Sequence, residues 1–155
     1  MGSRVSFRIA SLSCLIGLVA CTSNETENSL EIGVVDELGF RTIESGDQLR
    51  YGPGVQGGYW LMPSLRAREI STQALWSVTL FGEDDAVAGG VESGIVSFIE
   101  EVDGWKQAPW VGVPLGNNAP ELDGTRCRLE IDVWDNERTL AAEVEVLLEL
   151  EHPLE

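Results

Sequence analysis

Side chains suited to acid–base catalysis near neutral pH are almost absent from this chain. Its 155 residues include a single histidine, His152, and a single lysine, Lys106. Histidine is the side chain that titrates nearest neutral pH, and it is a common zinc ligand. A single histidine therefore makes histidine-based catalysis and a histidine-rich zinc site very unfavourable hypotheses. The sequence also lacks a Gly-x-Ser-x-Gly elbow, a phosphate-binding loop and a dinucleotide-binding motif. We therefore predict a non-enzymatic protein without a cofactor.

Paired carboxylates are the one catalytic arrangement that the composition leaves open. Glycosidases use two acidic side chains that flank the scissile bond, and this chain has 26 acidic residues. With so many carboxylates, some pairs fall at suitable separations by chance, and no motif marks one of them. A small hydrolase is therefore the weakest of three functional hypotheses.

Positive charge is also scarce. All 26 acidic residues lie after residue 20, whereas Arg4 and Arg8 precede it, which leaves eight basic residues and a net charge of −18 beyond that point. Such a surface repels phosphate backbones, so nucleic acid is excluded as a partner. A cationic partner or a divalent metal is compatible with this charge but is not required by it.

The apolar run at residues 9–20 is too short to span a bilayer, since it has 12 residues and a transmembrane helix needs about 20. A basic start, a short apolar stretch and small residues at its end are typical of a secretory signal. We therefore predict that residues 1–20 are an export signal.

The last residues of this run, Leu18-Val19-Ala20, together with Cys21 resemble the lipobox of bacterial lipoproteins. The resemblance implies cleavage before Cys21 and a diacylglycerol on its sulfur, so that a lipid anchors the mature chain to a membrane of the cell envelope. By the enterobacterial sorting rule, Thr22 at the next position favours the outer membrane over the inner one. Residues 21–29 would then form the lipidated cysteine and a flexible tether, because 22–29 contains no apolar residue.

Cysteine is too scarce for disulfides in the mature chain. Cys14 leaves with the signal and Cys21 carries the lipid, so only Cys127 remains. Cys127 alternates with polar residues in a strand pattern, which predicts a buried and unreactive thiol.

Residues 30–155 are expected to form one domain of short strands. Polar and apolar residues alternate over 126–134 and 139–150, and Asp135-Asn136-Glu137-Arg138 between them is typical of a turn, so we predict a hairpin there. Asp103-Gly104 predicts a second hairpin between 95–101 and 105–113, although the spacing of the apolar residues over 95–102 also fits a helix. Further strands are predicted at 30–35, 40–43, 48–51, 59–67 and 73–81.

This pattern predicts an all-β fold, an antiparallel immunoglobulin-like β-sandwich of about seven to nine strands. The final hairpin resembles the closing hairpin of immunoglobulin-like and PKD-like modules. The segment Val55-Gln56-Gly57-Gly58-Tyr59-Trp60, with Ser64-Leu65-Arg66-Ala67-Arg68 after it, is similar to a strand of small bacterial lipoproteins with β-sandwich domains. Both resemblances imply a fold and no activity.

Two of the five tryptophans are candidates for a contact surface. Trp76 alternates with Val78 and is assigned to the core, whereas Trp134 shares the polar face of its strand and Trp60 lies on a mixed face. Exposed aromatic side chains bind sugars by stacking and anchor protein interfaces. We predict that Trp60, with Tyr59 beside it, and Trp134 contact an envelope protein. The alternative is a carbohydrate- or peptidoglycan-binding module.

Two acidic clusters are weak candidates for calcium, which prefers oxygen ligands supplied by loops. They are Glu83-Asp84-Asp85 and the group Asp132, Asp135, Asn136 and Glu137. Neither has the Asp-x-Asp-x-Asp-Gly spacing of a specific loop, so we interpret both as solvated turns and predict no metal.

Overall fold

A computed structural model describes residues 29–116 and 118–151 of the chain. The predicted export signal, the predicted lipidation site Cys21, most of the predicted tether and His152 lie outside these residues. Within the two described ranges, no helix has the length and apolar character needed to cross a bilayer.

Strands account for most of the described chain, joined by turns and two short 3₁₀ turns at Val102–Gly104 and Ala119–Leu122. In chain order the strands are β1 Leu30–Asp36, β2 Gly39–Thr42, β3 Gln48–Pro53, β4 Tyr59–Leu61, β5 Ser64–Arg68, β6 Gln73–Phe81, β7 Val87–Ser97, β8 Ile99–Glu100, β9 Trp105–Ala108, β10 Val113–Pro114, β11 Arg126–Trp134 and β12 Thr139–Leu150.

The strands form two sheets around one core, which confirms the predicted all-β sandwich. One sheet has the order β2-β1-β5-β9-β8 and the other β10-β4-β3-β12-β11-β6-β7. Neighbouring strands are antiparallel except β3 and β12, which run parallel. Buried side chains from both sheets belong to a single apolar cluster, and burying each large one contributes about 1.5–3 kcal/mol.

The hairpin of β11 and β12 lies at the centre of the larger sheet with the predicted bounds. Its register runs over nine pairs, from Arg126 opposite Leu147 to Trp134 opposite Thr139. The inward side chains of β11, Cys127 among them, are fully buried, whereas the alternate ones are exposed or half-buried. Period-two alternation therefore identified both the strands and their faces.

Three of the nine predicted strands each divide into two, which gives the twelve observed. The run 59–67 becomes β4 and β5, the run 95–101 becomes the end of β7 and β8, and the run 105–113 becomes β9 and β10. In each case the two parts belong to different sheets. The buried Pro63 and Phe98 mark two of the crossings, and alternation alone does not reveal that a strand changes sheet.

The predicted turn at Asp103-Gly104 is confirmed by its backbone. Both residues have positive φ, 67° and 77°, and they connect β8 to β9 in an antiparallel pair. The helical alternative for 95–102 is wrong, since residues up to Ser97 pair with β6 in extended conformation.

The first half of β7 was not predicted, because glycine is uncommon in strands and Gly89-Gly90 interrupts the apolar pattern of Val87-Ala88-Gly89-Gly90. Gly90 has a φ of 151° and lies so close to the Val78 carbonyl that a β-carbon would overlap it. Gly89 forms a bridge to Leu115 next to β10, so the larger sheet nearly closes on itself here. The close approach of the two backbones requires glycine here. Because glycine has no side chain, the hydropathy pattern does not reveal this part of the strand.

Candidate binding groove

An exposed groove runs along the side of the domain where β3 and β4 adjoin β1. It consists of two adjoining depressions of ≈ 510 and ≈ 480 Å³ that share Arg50 and Met62. We call it the aromatic groove, and its apolar lining is formed by Val34, Val35, Leu49, Val55, Trp60, Met62 and Trp110. Each volume is within the range of about 300–1,000 Å³ typical of ligand sites.

Trp60 is held in this groove by both its neighbours and its own ring nitrogen. It is opposite Gly52 on β3 and Pro114 on β10, so no large side chain competes for its face of the sheet. Its indole Nε1 donates a hydrogen bond to the Gly57 carbonyl at 3.0 Å. A β-carbon on Gly54 would overlap the ring. The indole is therefore fixed before any ligand binds, which lowers the entropic cost of binding.

Trp110 is the most exposed aromatic side chain of the groove, with 69% of its surface accessible. Its loop is fixed on both sides, because the Ser64 hydroxyl donates to the Pro109 carbonyl and the Val111 amide donates to the Pro63 carbonyl. Trp110 was not predicted as a site residue, since it was placed within a strand. Pro109, which disfavours the interior of a sheet, was the signal that the strand ends there.

Two exposed ion pairs border the groove. Arg50 contacts Glu149 at 3.0 Å and Arg41 contacts Asp47 at 2.9 Å. A hydrogen bond from the Glu44 amide, reinforced by Arg41, lowers the pKa of Asp47. The hydrogen bond with Glu149 raises the pKa of Arg50. These exposed pairs add little stability, and they place charged groups beside the apolar side chains of the groove.

The structure does not bring the predicted contact residues into one site. Tyr59 is half-buried and its ring meets Tyr51 edge-on at 6.2 Å between centroids, so it belongs to the margin of the core. Trp134 is half-buried on the outer face of the larger sheet, as alternation predicted, in a shallow depression that shares no residue with the aromatic groove. Only Trp60 lies in the groove.

The predicted turn around Asp135 is organised by hydrogen bonds within the protein. Its carboxylate accepts from the Glu137 amide at 2.8 Å, from the Arg138 amide at 3.0 Å, and from both the amide and the hydroxyl of Ser71. These donors, Glu137 and Ser71 foremost, hold the pKa of Asp135 well below its usual value. In residues 29–116 and 118–151, no three acidic, histidine or cysteine side chains converge as metal ligands.

Two buried polar groups serve the core rather than a site. Burial raises the pKa of the Cys127 thiol, so the thiol stays protonated and weakly nucleophilic. The Tyr51 hydroxyl donates to the Ala119 carbonyl at 2.7 Å, and burial raises the pKa of this phenol as well.

Comparison with known proteins adds little. No protein-family model and no curated protein matches the sequence. A solved structure of the CooA pilin subunit from enterotoxigenic Escherichia coli is similar with a TM-score of 0.37 and 5% identity, over 79% of this chain and 99% of the pilin chain. A similarity this weak carries no argument about function.

Proposed function

We propose that the chain is a lipid-anchored envelope protein whose β-sandwich binds a partner protein through the aromatic groove. The observation that carries the proposal is the cluster of Trp60, Met62 and Trp110 in one exposed groove. Met62 is 47% exposed and Trp110 69%, and a contiguous exposed apolar patch commonly marks an interaction site. Tryptophan residues in such clusters contribute much of the binding energy of protein interfaces.

The anchor in this proposal rests on the sequence of residues 1–21. A lipid at Cys21 and the polar tether after it would hold the domain near a membrane while leaving the groove free to meet a neighbour. Metabolic labelling with radioactive palmitate tests this part: we expect the chain to be labelled and Cys21→Ser to abolish the label. Equal labelling of the variant would refute the anchor.

Site-specific photocrosslinking in living cells tests the groove. A photoreactive phenylalanine analogue at position 110 should yield a discrete crosslinked protein species, and Trp60→Ala in the same chain should reduce it strongly. Val87 provides a matched control position, since it is 70% exposed and lies outside the groove. Absence of a crosslink at 110, or equal crosslinking at 87, would contradict the proposal.

A glycan ligand is the second candidate, favoured by the fixed indole of Trp60 beside the Arg50–Glu149 pair. Sugars stack on such rings while charged side chains bind their hydroxyls. Titration of the chain with peptidoglycan fragments, monitored by tryptophan fluorescence, should change the emission, and Trp60→Ala should remove the change. Trp134→Ala is the matched control, because Trp134 lies outside the groove. A flat titration would exclude this candidate.

A further inference from the structure

A second surface, separate from the aromatic groove, is the open edge of the larger sheet. We propose that residues 93–97 of β7 bind an extended, lysine- or arginine-bearing segment of another protein, which adds to the sheet as an antiparallel or parallel strand.

Only one half of β7 is free to accept such a strand. In its first half, Gly89 bridges to Leu115 and the Ala88 carbonyl accepts from the Gly116 amide at 2.8 Å. A bulge follows, where the register with β6 shifts between Trp76 and Val78. Beyond the bulge, β7 pairs with β6 on one side, and no other strand of the described residues pairs with its second side. An unpaired edge offers a row of amide donors and carbonyl acceptors to an incoming chain.

An apolar row on the outer face ends at this edge. Trp134 on β11 is opposite Leu75 on β6, and Leu75 is opposite Ile95 on β7. Leu75 is 42% exposed and Ile95 73%. Side chains directly opposite one another across strands interact favourably when both are apolar. An incoming strand with an apolar residue beside Ile95 would extend this row by one member and cover the most exposed part of it.

The charge around this edge favours a cationic binding partner. The 37 residues from 69 to 105, which include β6, β7 and β8, contain eight acidic residues and no lysine or arginine. Three of the eight, Glu69, Asp85 and Glu101, pair with arginines outside this segment, which leaves five. Of these five, Glu100 lies opposite Lys106 on β9. Natural edge strands are commonly protected by lysine, proline or a bulge. β7 has neither lysine nor proline, and its bulge precedes residues 93–97. Glu92 and Glu100 are exposed on either side of residues 93–97. A cationic segment would be attracted to this edge, whereas the same edge of a second copy would be repelled.

The probe for this proposal is the peptide KKTVTVTKK, added to the full chain in detergent. Anisotropy of a fluorescent label on the peptide gives the affinity, and hydrogen exchange with mass spectrometry locates the contact. We expect saturable binding that weakens with salt, with slower exchange of the amides at 93–97. Ile95→Lys should weaken binding about tenfold or more. Val87→Lys, a similarly exposed position in the covered half of β7, should leave the affinity within about twofold.

Two altered peptides separate strand addition from general attraction. Replacing the four lysines by glutamate should abolish binding, and methylating alternate backbone nitrogens should weaken it strongly, because strand addition uses backbone amides. Equal binding of either altered peptide would overturn the proposal, as would equal losses in the two chain variants. Protection of 93–97 without peptide, caused by self-association of the chain, would also overturn it.

Discussion

The β11–β12 hairpin and β7 belong to the same sheet, yet they occupy its centre and its edge. β11 has a strand on each side, and its inward residues Leu129 and Val133 have no exposed surface. β7 pairs with β6 on one side, and over its second half it has no strand on the other side. Ile95 in this half points outward and is largely exposed. Both strands bury their inward face, since Val96 on β7 is only 4% exposed. They differ at their edges: both edges of β11 are paired, whereas β7 leaves one edge unpaired over its second half.

The largest expected effect is at the centre of the hairpin. Leu129→Ala should lower the free energy of unfolding by about 2–5 kcal/mol, because it leaves a cavity between the two sheets. Urea denaturation of both forms measures the loss. Leu75→Ala, on the neighbouring strand but 42% exposed, should cost much less. Equal losses for the two would mean that the inward face of the sheet is no better covered than its outer face.

Gly90→Ala tests the covered half of β7, where the effect should be intermediate. The new β-carbon would overlap the Val78 carbonyl at a φ that non-glycine residues rarely adopt, so we expect a loss of about 1–3 kcal/mol. Gly82 in the turn of the same hairpin is the control, since its nearest atom would be the Ala86 carbonyl at 3.8 Å, an ordinary contact. A tolerated Gly90→Ala would show that β7 does not approach β6 this closely.

The sequence predicted the centre of this fold better than its margins. β6, β11 and β12 have the predicted bounds because each stays in one sheet and keeps its inward face buried or half-buried throughout its length. The chain changes sheet near Pro63 and at Phe98, however, and nothing in the hydropathy pattern distinguishes a crossing from a continuing strand. The first half of β7 was not predicted, because its glycines serve close backbone approach, which depends on residues distant in sequence.

The candidate groove was predicted only in part, for a related reason. Trp60 was identified because its strand has a mixed face. Trp110 was missed, since its exposure comes from a loop fixed by Ser64 and Pro63 rather than from alternation. That the groove combines these two residues follows from tertiary structure, because they are fifty positions apart and lie on separate elements.

Asp135, in the turn of the central hairpin, should make the stability of the domain depend on pH in the acidic range. The pKa of Asp135 is lowered in the folded state, whereas the unfolded value is about 3.9. Its stabilising contribution is therefore complete above that unfolded value and is lost as the pH falls from there towards the folded pKa. Asp135→Asn should thus destabilise the domain near neutral pH, and the difference should shrink in acid.

Urea denaturation at several pH values measures this difference. The same comparison is then made in a chain that carries Ser71→Ala, which removes the hydroxyl donor to Asp135 and keeps the amide donors. In that background the pH-dependent part of the Asp135→Asn effect should be smaller. A difference that stays constant down to acid pH would show that the carboxylate is not held by these donors in solution.

The smallest effect is expected at the open edge, where two adjacent residues provide the comparison. Ile95 faces outward and is 73% exposed, whereas Val96 faces the core and is 4% exposed. Ile95→Thr should change the free energy of unfolding by about 0.5 kcal/mol or less. Val96→Thr should cost about 1–3 kcal/mol, because it buries a hydroxyl in an apolar site. If Ile95→Thr proved as costly as Val96→Thr in urea denaturation, the outer face of β7 would be covered in the free protein. The edge would then not be available to an incoming strand, so this stability measurement tests the premise of strand addition without any ligand.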